Sequence, residues 1–364
     1  MNIKRNLLKS VFIAAIAIFM VSCENDDDEN WIQPSVTTGA YILNSGNMDR
    51  NNANLAYYNA ETGNVTYDVF GNMNGKGLGD TGQDMLIYGS KMYITATGSN
   101  VIYVLNKEGV IIKEIYPKNS QNQPDQPRSL AASEGKLYVS LYNGYVARID
   151  TVSLSIDAKV QVKTYPEQIT IANKKLYVAN SGQGTEKTVS VIDLANFEAT
   201  PTSIEVIINP TNLVSDAQGN VYVISLGDYG SIPNTLQKID AKTNVVTNLG
   251  TATKMALSNN KIYIIYTTYN ADYTAESKLL WYDISTSQMH NESFVSLTND
   301  AGSAIDLSKA SSISIDPDTK SFYIGTAPSY TSNGDMYIFD STGKFQKKFD
   351  TGGINVMGAY FVTK

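Results

Sequence analysis

KKLYVANSGQGTEKTVSVID, residues Lys174 to Asp193, is the stretch on which the fold turns. It reads as a Leu-Tyr-Val strand, a turn of small residues and a Val-Ser-Val-Ile-Asp strand. Apolar and polar side chains alternate, as a half-buried β-hairpin requires. The same strand recurs with its tyrosine at Tyr41, Tyr93, Tyr138, Tyr177, Tyr222, Tyr263 and Tyr323. After each comes a second strand ending in Asp or Asn, at Asn59, Asn106, Asp150, Asp193, Asp240, Asp283 and Asp340. Successive tyrosines stand 39 to 60 residues apart, a period that with several short strands per unit marks a β-propeller blade.

Working outward from the hairpin, a third strand leads most copies, after Asp84, Arg128, Glu167, Thr211, Thr253 and Ser311, and a fourth usually follows, as from Val110 and Val245. The first copy lacks a leading strand. The C-terminus supplies one in Ile354-Asn355-Val356-Met357, which would close the ring and remove an exposed edge. The expectation is an all-β, seven-bladed β-propeller with four-stranded blades over residues 38–364, the ring closed by the C-terminal strand. A β-sandwich with coincidental Tyr-Val pairs is the competing architecture.

Residues 1–22 carry Lys4 and Arg5, an apolar run from Leu7 to Met20 and the small residues before Cys23. This is the layout of a secretory signal, and the run is short for a bilayer span. Cys23 is the only cysteine, so an intramolecular disulfide is excluded. Its setting resembles a bacterial lipobox, which implies cleavage before Cys23 and lipidation of its sulfur; a free cysteine after ordinary cleavage is the alternative. Residues 23–37 then read as a lipidated acidic tether, because Glu24-Asn25-Asp26-Asp27-Asp28-Glu29 repel one another and stay solvated. The tract also resembles the surface-export signal of Bacteroidota lipoproteins.

The net charge of −7 and pI near 4.9 exclude nucleic acid as a partner, since phosphate binding needs a basic face. Tyrosine is over-used, 24 against 10 phenylalanines, so many phenols remain after the seven strand tyrosines are placed. In a propeller the loops entering the inner strands share one face with those joining the second and third strands. Four of the latter are long, from Ser45, Leu226, Thr267 and Ala327. They and their neighbours bring Tyr142, Tyr229, Tyr269, Tyr273 and Tyr330 to one rim beside Asn44, Arg50, Arg128 and Asn180. A rigid ring with a polar tip suits a bulky, partly apolar, amide-rich ligand.

Gly77 to Gly82 spells GxGxxG, but a dinucleotide site needs a strand before and a helix after, and this stretch reads as a loop entering a blade. Asp316-Pro317-Asp318 reads as a hairpin turn rather than a calcium loop. His290 is the sole histidine, which rules out a His-rich metal cluster. No cofactor, metal site or catalytic residue is expected. Carboxylate-only chemistry, as in a lyase or lactonase, would fall to Asp84 and Glu167, which precede inner strands.

The Tyr-Val-Ala-Asn and Val-Ile-Asp pairs of the fourth copy look like YVTN-type propeller repeats, from Tyr41 to Met357. With Cys23 and the acidic tract, the whole chain is similar to the surface-exposed cobalamin-binding propeller lipoproteins (BtuG family) of gut Bacteroidota. That resemblance implies a lipid-anchored outer-membrane protein at the cell surface, binding vitamin B12 or a related corrinoid and passing it to a TonB-dependent outer-membrane transporter. Cobalamin would be a ligand and not a cofactor. The alternative is a propeller that holds a glycan or a protein partner at the same loop face.

Overall fold

The computed structural model describes residues 35–272 and 274–364. The signal segment, Cys23 and the acidic tract lie outside the described residues. All the named strands of the described residues fall into seven antiparallel four-stranded sheets, each with one of the seven tyrosine strands in second place. Numbered by those tyrosines, the inner strands of blades 2 to 7 are Gly82–Tyr88, Pro127–Ser133, Pro166–Ala172, Pro210–Ser215, Lys254–Ser258 and Ala310–Ile315. Blade 1 takes its inner strand from the C-terminus, Val356–Thr363, which pairs antiparallel with Thr37–Asn44. Each inner strand touches the next around the full circle, including the last against that of blade 2. The structure is therefore a closed seven-bladed β-propeller.

The alternation in the hairpins explains where the core lies. Side chains on both faces of a middle strand meet a neighbouring blade, so the second strands are buried along nearly their whole length, as in Lys91–Ala96 and Val221–Ser225. The apolar core is accordingly seven separate layers, one between each pair of consecutive blades. The repeat tyrosines belong to these layers, where a large planar ring spans the gap between twisted sheets.

The outer strand of blade 1 is only Val65–Thr66, and the chain then forms the α-helix Val69–Asn74. Asp68 caps it by accepting a 3.2 Å hydrogen bond from the Gly71 amide, and Phe70 packs edge-on against Tyr103 of blade 2. Six residues give too little periodicity to announce a helix in the sequence. The loop from Thr267 is also shorter than expected. Strands Lys261–Tyr269 and Ala275–Asp283 stay paired out to Tyr269↔Ala275, so this hairpin reaches further than its neighbours and Tyr269 ends a strand.

Closure is tightened by side chains. Thr37 Oγ1 lies 2.7 Å from Asp316 Oδ1 and 2.9 Å from Asp318 Oδ2, its single proton shared between the two carboxylates, so the Asp316-Pro317-Asp318 turn clasps the first strand. Gly325 leaves room for Val356: a Cβ there would stand 2.5 Å from Val356 Cγ1 and would also meet Ser312 Oγ. Both neighbours are buried, so neither can move aside cheaply. Gly325→Ala is expected to lower stability by about 1–3 kcal/mol through overpacking, read as a lower denaturant midpoint at unchanged slope.

Candidate functional site: the axial cup

The inner strands do not run regularly into the axis. In blades 2, 3, 4, 5 and 7 the pairing with the second strand slips at the entrance, and in blade 1 it slips at Met357. The residues skipped are Gln83, Arg128 with Ser129, Glu167 with Gln168, Thr211, Ser311 and Met357. A β-bulge of this kind re-aims a side chain that the ladder would otherwise direct at a neighbouring sheet. Five of these strands follow a residue in the left-handed region: Thr81, Gln126, Tyr165, Asn209 and Asn355. For the β-branched Thr81 that conformation is uncommon, and its recurrence with the bulges puts local backbone strain around one mouth.

The bulged side chains line an axial cavity of about 590 Å³ to which all seven blades contribute. Ser181, Gln183, Leu226 and Tyr229 from the second-to-third-strand loops complete the wall. Both kinds of loop thus open on one face, as propeller geometry anticipates.

One side of the cup is a closed polar network. Arg128 Nη2 lies 2.5 Å from Glu167 Oε2 and its Nε 3.1 Å from the same oxygen, while Nη1 donates to Gln83. Glu167 Oε1 accepts from Tyr142 at 2.9 Å and Ser181 at 3.3 Å. The guanidinium also lies over the Tyr142 ring, 4.3 Å from its centroid, a cation–π contact. Burial holds the Tyr142 phenol well above the usual tyrosine range, with Glu167 adding to the effect and Arg128 opposing it.

Asp84 accepts four hydrogen bonds, from the Met85 and Leu130 amides, Ser129 Oγ and Tyr360. Burial nevertheless raises its carboxyl above the ordinary range. Desolvation outweighs the hydrogen bonds because no cation among the described residues pairs with the group. Lys254 stands in the same cup, its ammonium pulled below the usual lysine range first by burial and further by Arg128, against the pull of Glu167.

Of the residues expected at the rim, Arg128 and Tyr229 line the cup, and Tyr142 sits directly behind Arg128 and Glu167. Tyr229 is 76 % exposed, held on a turn in which Asp228 accepts from the Gly230 and Ile232 amides and from Ser231. Tyr269 and Tyr330, 70 % and 85 % exposed, project from neighbouring hairpins outside the cup wall. Arg50 is exposed on the blade 1 loop, and Tyr273 lies outside the described residues.

Asn44 and Asn180 correct the expectation: both are fully buried. Each ends a second strand with its amide turned inward. Asn44 binds Asn54, Thr351 Oγ1 and the Thr351 carbonyl, and Asn180 donates to Thr188 and Ser190. Their role is to lock hairpins. Sequence reasoning passed over Gln83, Gln168, Asn212, Lys254 and Ser312, all in the cup wall. The readable signal is position, since these residues stand at or just after the start of an inner strand, three of which open with Pro127, Pro166 or Pro210.

A family model described as "Domain of unknown function (DUF5074)" matches residues 38–361. No curated protein matches the chain significantly. Among solved structures, a quinonprotein alcohol dehydrogenase-like protein of Bacteroides thetaiotaomicron is similar, with a TM-score of 0.60 and 18 % identity over 90 % of this chain and 79 % of that one. The extracellular domain of a putative one-component system of B. thetaiotaomicron gives 0.57 and 13 % identity over 86 % of this chain and 43 % of that one. A protein of Lactobacillus plantarum gives 0.57 and 13 % identity, covering 89 % and 99 %. At these identities the likeness is one of fold.

Proposed function

We propose that this chain, which belongs to the DUF5074 family, is a non-catalytic binding protein that takes a bulky, amide- or hydroxyl-rich ligand into the axial cup, a corrinoid in the first instance. The observation that carries the reading is the cup itself: a cavity of about 590 Å³ walled by amides, hydroxyls and a few charges, with the exposed phenol of Tyr229 at its edge. A corrinoid is larger than the cavity. It would insert its polar periphery and leave its ring system against the rim, where aromatic contact adds about 0.5–1.5 kcal/mol per pair beyond area burial.

Resemblance to surface-exposed cobalamin-binding lipoproteins supports the corrinoid over other large polar ligands. Under it Cys23 carries the lipid anchor, the protein sits on the outer surface of the outer membrane, and a TonB-dependent transporter receives the ligand. The absence of turnover belongs to the same proposal: Glu167 is committed to Arg128, Tyr142 and Ser181, and Asp84 to four donors.

The test is calorimetry with cyanocobalamin on the chain lacking residues 1–23. Saturable heat at micromolar protein is expected, with affinity lowered about tenfold in Tyr229→Ala. No heat refutes the corrinoid, and hits on a glycan array in its place would move the reading to a carbohydrate ligand.

A further inference from the structure

On the inner strands that wall the cup, the carboxylate oxygens are filled and the N–H donors are not. Asp84 Oδ1 accepts from the Met85 amide and Tyr360, and its Oδ2 from Ser129 and the Leu130 amide. Glu167 Oε1 accepts from Tyr142 and Ser181, and its Oε2 from Nε and Nη2 of Arg128. A carboxylate oxygen offers about two lone-pair sites, so the acids of the cup wall have nothing left with which to accept from a ligand.

The amides point the same way. Arg128 Nη1 and the Leu213 backbone N–H can only donate, so Gln83 and Gln168 must each turn Oε1 toward them. Gln168 Oε1 also fixes the amide of Asn212, whose Nδ2 donates to it at 3.2 Å. The Nε2 groups of Gln83 and Gln168 are thereby left over. Neither donates to another group among the described residues, and neither is among the buried polar atoms that lack a partner. Both therefore reach solvent, which for these two wall residues is the cup. Of the five N–H groups of a guanidinium, Arg128 uses three on Gln83 and Glu167. Lys254 is a donor by its chemistry alone. Gln83, Arg128, Gln168, Asn212 and Lys254 thus bring N–H groups from the first turns of five consecutive inner strands, those of blades 2 to 6, to one cavity.

We infer that the cup is a hydrogen-bond donor surface, which selects its ligand by oxygen acceptors, such as carbonyl, carboxylate or phosphate oxygens, and rejects groups that can only donate, such as an alkylammonium. This deepens the binding role proposed above and rests on it. Gln83 and Gln168 set the selectivity, because their amides are locked by partners that admit one orientation only. A ligand N–H placed against either would meet another N–H and lose its water with nothing in exchange.

Gln168→Glu and Gln83→Glu each reverse the polarity at one point of the wall. Both spare the fold, since one carboxylate oxygen can still receive Leu213 and Asn212 in the first and Arg128 in the second. Crystals of wild type and both variants are soaked in dimethyl sulfoxide, which accepts and cannot donate, and in methylammonium chloride, which donates and cannot accept. The expected result in wild type is dimethyl sulfoxide with its oxygen within hydrogen-bond reach of Gln83 Nε2 or Gln168 Nε2, and no methylammonium in the cup. Beside the substituted residue the preference should reverse. Methylammonium in the wild-type cup, no dimethyl sulfoxide there, or dimethyl sulfoxide retained in both variants as an adventitious additive only overturns the inference. Calorimetry with cyanocobalamin, whose periphery carries amide carbonyls, reads the consequence for a whole ligand. Binding should weaken about ten- to a hundredfold in either variant, at an unchanged thermal midpoint. Wild-type binding that both variants leave intact overturns the donors as determinants of recognition. No binding to wild type, with dimethyl sulfoxide on the donors, overturns the corrinoid reading and leaves the donor surface standing.

Discussion

A chain ended after Asn355 is expected to lose cooperative folding altogether. Val356–Thr363 supplies the inner strand of blade 1, pairing with Thr37–Asn44 from Thr37↔Thr363 to Asn44↔Val356. It also touches the inner strands of blades 2 and 7. Without it the first strand presents an unpaired edge of backbone donors and acceptors, and the apolar layers on either side of blade 1 lose one wall, including Val356 and Ala359. A domain's whole stability is about 5–15 kcal/mol, and opening two of seven core layers removes apolar burial of at least that order. The truncated protein should elute as soluble aggregate and show no sigmoidal thermal transition. A monomer melting at the wild-type temperature would mean that the ring does not depend on its last strand.

Arg128→Met should cost about 3–5 kcal/mol, the usual penalty when one partner of a largely buried ion pair is removed and the other charge remains. The pair qualifies: the two side chains are 16 % and 14 % exposed, and the contact is 2.5 Å. Glu167 would retain only Tyr142 and Ser181 as donors, and Arg128 would no longer hold Gln83 or cover the Tyr142 ring. Replacing both partners, in Arg128→Met with Glu167→Met, should recover much of the loss, because no orphaned charge is left. Urea unfolding of the two single variants and the double variant measures the coupling. If the losses simply add, Arg128 and Glu167 are not coupled as the polar network on that side of the cup requires.

These expectations rest on unequal parts of the sequence. The blades were legible because each middle strand is buried on both faces and must therefore carry the same Tyr-Val and Val-Ile-Asp patterns; a sevenfold requirement leaves a sevenfold trace. Arg128 was legible for a related reason, standing at the entrance of an inner strand. Asn44 and Asn180 misled because an asparagine at a strand end looks the same whether it faces solvent or turns back to lock its hairpin. The second course is taken here, with Thr351 receiving one amide and Thr188 the other. Lys254 was hidden by its surroundings, since KMALS reads as one more amphipathic strand and a lysine at its head as an ordinary solvated charge.

The amino-acid sequence by itself determined the number of blades, the strands within them and the closure of the ring, because hydrophobic alternation and repeat period are local properties that every blade must satisfy. The tertiary structure alone decided which polar side chains share the axial cup and which of them are left without partners. Gln83, Arg128, Glu167, Asn209, Lys254 and Ser312 are scattered over more than two hundred residues. Gln83, Arg128 and Glu167 face the axis because register slips at their inner strands turn them there, whereas Lys254 opens a strand that pairs without a slip; a slip of that kind depends on what the neighbouring strand offers as a partner.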